Sequence, residues 1–178
     1  MITKKRMAAS TRVIITTITV LLCTIAVLAY LNAGNLAAKK ELEEKAEFLL
    51  THQEKQYRIT LEDIHALGPV DFVALMDTST TDPTPLSLGG VELWTLLQQY
   101  QIKLQEGSLV QFRALDGYAS AVTGQEVLTE DNVYLCIYMN GERLKPKQEG
   151  GLGPYLIVIK NDRFSQRWCK FVEEIQVR

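Results

Sequence analysis

Hydrophobic residues fall along this chain in three regimes. The first is a run without a charge, Val13 to Leu31, reading VIITTITVLLCTIAVLAYL. As a helix, those ~19 residues rise about 28 Å, close to the apolar thickness of a bilayer. Its threonines, Thr16, Thr17, Thr19 and Thr24, can return their hydroxyls to the carbonyls of the preceding turn. The second regime, residues 36–56, is rich in helix formers and free of Gly and Pro. Glu41 and Lys45 are spaced for an i,i+4 pair, and Leu42, Ala46 and Leu49 share one helical face. This predicts a helical stalk over 33–56, too short in heptads to specify a coiled coil.

The third regime, 57–178, alternates short apolar runs with turn residues. A strand is predicted over 57–60. Thr60 then opens a helix, with Asp63 as its capping-box partner and Leu61, Ile64 and Leu67 inward, ended by Gly68-Pro69. Phe72 to Met76 reads as a buried strand. Residues 77–90, DTSTTDPTPLSLGG, read as a loop by composition. Val91 to Tyr100 reads as a helix with Val91, Trp94 and Leu97 inward. Beyond it the pattern is β: 109–115, a turn at Asp116-Gly117, 118–122, then 133–138 with a turn at Asn140-Gly141. A polar Gly-rich loop over 145–153, an apolar strand over 155–160, a bridge NDRFSQRWCKF and a last strand over 174–177 complete it. The fold class is α+β, an N-terminal transmembrane helix followed by a compact mixed domain.

Charge sharpens this division. Lys4, Lys5, Arg6 and Arg12 precede Val13 with no acidic residue, so residues 1–12 form a basic tail and residues 13–32 the anchor. The remainder holds 15 basic and all 21 acidic residues, a net charge of about −6. The positive-inside rule keeps the tail cytoplasmic and sends the domain out of the cytoplasm, as a single-pass cell-membrane protein. A cleaved signal peptide is the rival, but its apolar core would be shorter and the small-residue sites after the run are poor. An acidic domain repels phosphates, which sets nucleic acid aside as a partner.

Nucleophilic and metal chemistry find few residues. There is no GxSxG and no P-loop, and neither His52 nor His65 stands in a recognisable site; both occupy helix-like polar settings. Cys23 lies in the apolar run. Cys136 and Cys169 have no zinc-ligand spacing; they are either joined by a disulfide, as an extracytoplasmic location permits, or buried as free thiols. Adjacent carboxylates such as Glu62-Asp63 and Glu173-Glu174 point different ways and read as surface charge.

Several short segments occur in a telling order. Gly90-Val-Glu-Leu-Trp-Thr-Leu-Leu97 resembles a GVxLxxLL helix, and Asp116-Gly117-Tyr118 a DGY turn. Asn140-Gly141-Glu142 with Leu144 resembles an NGExL hairpin. Gly150-Gly151 with Pro154 resembles a GGPxRLxVP stretch, and Arg167-x-x-Lys170 with Ile175-Gln-Val177 an RxxKWLxxIxV ending. In this order, over 57–178, they resemble the molybdopterin-binding domain of the sulfite oxidase family. The resemblance implies a fold that holds molybdopterin, with one protein thiolate on the molybdenum.

That cysteine is expected in the loop between the strand and the GVxLxxLL helix. Here the loop opens Asp77-Thr78-Ser79-Thr80 and holds no cysteine; Asp77 or Ser79 could offer an oxygen ligand in its place. The resemblance also makes Arg167 and Lys170 cofactor-binding residues that grip a phosphate, with Lys160 and Arg163 extending a basic patch. Otherwise the pair is solvated or tied to Glu173 and Glu174. Three functions follow. The first is a non-catalytic binding or scaffold module without cofactor; a protein partner is expected at the 77–90 loop, the natural contact surface of the third. The second is a molybdopterin-dependent oxidoreductase or a subunit of one. The third is an unrelated adhesion or sensor module.

Overall fold

The computed structural model describes residues 9–79 and 81–178. Lys4, Lys5 and Arg6 of the basic tail therefore lie outside the described residues, as does Thr80. The chain divides into two compact units, Met1–Lys40 and Glu41–Arg178.

Helix α1 runs Ala9–Lys45. Within it Arg12–Gly34 is apolar enough, and at 23 residues long enough, to cross a membrane. Its side chains are exposed to the surroundings rather than buried in protein. The threonine hydroxyls of Thr16, Thr17, Thr19 and Thr24 each donate to the carbonyl four residues back at 2.9 Å, so none presents an unsatisfied group. The end of α1 keeps the expected Lys45–Glu41 pair at 2.7 Å.

The helical stalk does not reach residue 56. At Ala46 the backbone turns to φ +49°, and β1 (Phe48–His52) and β2 (Lys55–Ile59) follow as an antiparallel pair. The reason is period: Phe48 and Leu50, two apart, are both fully buried. Leu42, Ala46 and Leu49 fit a helix, but Phe48 and Leu50 fit a strand, and burial of the larger pair decides. His52 accordingly ends a strand, not a helix.

Two sheets build the second unit. Helix α2 (Leu61–Ala66) carries the full Thr60–Asp63 capping box. Next come β3 (Val70–Thr78), β4 (Thr81–Glu92) and α3 (Leu93–Gln99). They are followed by β5 (Leu109–Ala114), β6 (Ala119–Thr123), α4 (Gly124–Leu128) and β7 (Val133–Met139). The two-residue β8 (Glu142–Arg143), β9 (Leu156–Ile159), the short β10 (Cys169–Lys170) and β11 (Val172–Val177) complete the set. One sheet has the order β2-β1-β11-β5-β6, and the other β10-β9-β7-β4-β3 with β8 on β7. In the first, β11 pairs parallel with β1 and antiparallel with β5. A single apolar cluster draws on both sheets and on α2, α3 and α4, including Phe48, Ile64, Leu96, Phe112, Val127 and Tyr155.

The segment 77–90 is not a loop. From Thr81 it is strand β4, closing a hairpin with β3. Its prolines are tolerated because only Leu88 to Glu92 also pair with β7; Pro83 and Pro85 sit where β4 has β3 alone as a partner. Helix α3 is where the pattern places it, but Leu93, Leu96 and Leu97 are its buried positions and Trp94 is half-buried. Helix α4 has a Thr123-x-x-Glu126 capping box that the sequence displays and the pattern reading passes over.

Candidate site at the Asp116 turn and the Arg167–Lys170 segment

The Asp116-Gly117 turn between β5 and β6 is built as its residues require. Gly117 has φ +88°, and the Asp116 carboxylate accepts from the Tyr118 backbone N–H at 3.2 Å. The turn presents Tyr118, whose hydroxyl donates to the Gln166 carbonyl, and Ser120 donates to the Arg167 carbonyl at 2.8 Å. These two bonds fix the single 3-10 turn Ser165–Arg167 against β6. Ser165 in turn donates to the Asp77 carbonyl at 2.7 Å. The end of β3, where a metal-ligating residue is expected, therefore does meet the segment that carries Lys170.

Between the Asp116 turn and the 165–170 segment lies a cavity of about 270 Å³ lined by Asp116, Tyr118, Ser165, Gln166, Trp168 and Lys170. Burial is the main reason the Tyr118 phenol is held above its usual range. Lys170 is half-buried here and has no carboxylate partner among the described residues.

Arg167 is not part of this cavity. Its guanidinium turns the other way, to Asp162 and Glu126, the latter at 2.8 Å, with Nε to Asp162 also at 2.8 Å. The hydrogen bonds that Arg167 donates to Asp162 and then to Glu126 push its pKa up. Burial would raise Glu126, but the Arg167 guanidinium and the Thr123 cap outweigh it and hold its carboxyl low. The two expected cofactor residues are thus separated, and one has its charge matched by two carboxylates. Those partners are Asp162 and Glu126, not Glu173 and Glu174. Lys160 and Arg163 do not enlarge a basic patch either: Lys160 pairs with Asp131 at 2.5 Å, and Arg163 lies over the Phe164 ring at 5.2 Å.

Residues 46–178 match the family model described as the oxidoreductase molybdopterin binding domain. The chain belongs to this family. A solved structure, the sulfane dehydrogenase SoxCD from Paracoccus pantotrophus, has the same fold, with a TM-score of 0.61 at 19% identity. The likeness covers 74% of this chain and 37% of that one. No curated protein matches. Membership removes the expectation of an unrelated module. It also accounts for the segment order: the GVxLxxLL glycine, Gly90, lies where β4 presses on β7, and a Cβ there would sit 2.7 Å from the Cys136 Cα.

The residues of this molybdopterin-binding-family domain do not fit the metal group the family implies. A molybdenum thiolate needs a deprotonated, reachable sulfur. Cys136 is buried in β7 and Cys169 in β10, both as free thiols, so the disulfide does not form. Burial raises both pKa values, Cys169 to about 12. The end of β3 offers Asp77, Thr78 and Ser79, and no group of three or more His, Cys, Asp or Glu gathers among the described residues. The cavity beside Lys170 is also slightly smaller than the ~300–1,000 Å³ that enclose ordinary ligands.

Proposed function

We propose that this chain is a membrane-anchored, extracytoplasmic member of the molybdopterin-binding family that has left molybdenum chemistry and serves as a binding or scaffold module. One observation carries the reading: the donor set at the end of β3. Hard hydroxyl and carboxylate oxygens stand where the family's chemistry asks for a soft thiolate, and the buried thiols elsewhere cannot replace it. The Arg167 charge, already matched by Asp162 and Glu126, supports the same conclusion.

Placement rests on the length of Arg12–Gly34 and on the basic residues before it. A scaffold also needs a contact surface, and the β3–β4 hairpin supplies one. β3 is an edge strand, and Val70, Val73 and Leu75 on it are exposed. A long apolar edge is a template for pairing with another chain, so a protein partner here would also protect the domain from aggregation.

A second reading, a molybdopterin-dependent oxidoreductase or a subunit of one, draws on the cavity beside Lys170, whose charge is unmatched. The chain spans 37% of the SoxCD chain, so a further polypeptide could complete such a site. Molybdenum and pterin content separates the two. The full chain is purified in detergent from a host that makes and exports molybdopterin. The expected result is a folded protein with molybdenum far below one atom per chain. Near-stoichiometric molybdenum with pterin fluorescence, lost in Lys170→Ala, overturns the scaffold reading.

A further inference from the structure

We propose that a second groove, at the other end of the β5–β11 pair, binds an anionic saccharide. The register sets the two sites apart. Val172 lies opposite Ala114 beside the Lys170 cavity, and Val177 lies opposite Val110 beside the groove. Four residue steps along β5, from Val110 to Ala114, separate them by about 13 Å. The groove is formed by the β1–β2 turn, the C-terminal end of α3, the loop before β5 and the end of β11. Its volume is about 830 Å³, well within the range of ligand sites.

Its chemistry departs from that of the domain. The domain is net acidic, yet no Asp or Glu side chain lines this groove, while His52, Lys55, Lys103 and Arg178 do. Glu54 and Glu106 adjoin these residues in sequence but do not line the groove. Neither Lys55 nor Lys103 is paired with a carboxylate among the described residues. The Arg178 guanidinium donates to the neutral Gln176 Oε1, at 3.0 and 2.6 Å, and so keeps its charge. This contrasts with Arg167, where two acids stand in the way of any anion. An anionic group entering the groove meets the Lys55 and Lys103 ammonium groups, neither of which is matched by a carboxylate side chain among the described residues.

The remaining wall identifies more than an anion. Five glutamines line it: Gln53, Gln99, Gln101, Gln105 and Gln176. An amide carries donors and an acceptor together, which matches a hydroxyl that must both give and receive. Tyr57 and Tyr100, with ring centroids 4.8 Å apart, add an aromatic surface to the same wall. An apolar ligand would leave the amides unpaired at a cost, and a bare inorganic anion would leave most of them unused. A polyhydroxylated ring with a carboxylate or sulfate uses cations, amides and aromatic faces together.

The site is independent of whether molybdenum binds, because it shares no residue with the Lys170 cavity. The test is calorimetric titration of the full chain in zwitterionic detergent with trigalacturonate and a heparin-derived tetrasaccharide. Maltotriose and inorganic phosphate are the comparison probes. At least one anionic saccharide should bind tenfold or more tighter than either comparison. The double variant K55Q/K103Q should weaken it at least tenfold with an unchanged unfolding midpoint, since both lysines are exposed and unpaired. Binding of neither anionic saccharide, equal binding of maltotriose or phosphate, or unchanged affinity in the double variant would overturn the proposal.

Discussion

At the scale of residues, the informative one is Arg167. Its position three before Lys170 suggests a phosphate grip, and the sequence displays that spacing openly. What the sequence conceals is where the guanidinium turns. Glu126 lies 41 residues away and reaches it only because α4 follows β6, and Asp162 is reached through a turn. Local spacing carries no information on either contact. Glu126 serves two structures together, capping α4 through Thr123 and anchoring Arg167. Glu126→Gln should therefore destabilise the domain by about 1–2 kcal/mol at neutral pH, a figure discounted because the Arg167 side chain is 39% exposed. The native Glu126 carboxyl is held below its ordinary 4.5, so its contribution is complete above that pH and is lost as the pH falls through the native value. Urea unfolding of the two proteins should show distinct midpoints at pH 7 that converge as the pH is taken down through the lowered native value of the Glu126 carboxyl. A gap that persists in acid would mean that Glu126 acts through packing instead.

At the scale of elements, hydrophobic period located most strands and both capping-box helices of the domain are written in the sequence, one of them unread. Two segments misled, for different physical reasons. In 46–56, residues with good helix propensity are overridden by burial of Phe48 and Leu50 and by the pairing of β1 with a strand some 125 residues later. In 77–90, Pro, Ser and Thr read as loop, yet an edge position forgives Pro and favours Thr. The Gly89-Gly90 pair at the β4 bulge has a sharper role. A Cβ at Gly90 would run into the Leu135 carbonyl and the Cys136 Cα, all backbone, whereas at Gly89 it would meet the Asp71 and Tyr138 side chains at 3.0 Å. Gly90→Ala should cost about 3 kcal/mol and Gly89→Ala distinctly less, because side chains yield more readily than backbone. Chemical denaturation of both variants ranks them; equal losses would show that the β4–β7 contact is softer than its spacing implies.

At the scale of the whole molecule, the α+β class and the family were legible from ordered short motifs, while the site's lack of fit emerged only when the charges and thiols acquired neighbours. Cys136 and Cys169 are fully buried, so alkylation must await opening of the domain. The native protein should leave both unlabelled by iodoacetamide over a time in which the denatured, unreduced protein labels both, as a mass measurement would read. Rapid native labelling would mean that β7 or β10 opens locally. The order of strands in the first sheet has a consequence for biosynthesis. β11, the eleventh strand to be made, fills the middle of that sheet, between β1 and β5. The earliest strand and a mid-chain strand thus wait, edges bare, until residues 172–177 emerge, and a nascent chain stalled before that point holds two half-sheets with nothing to join them.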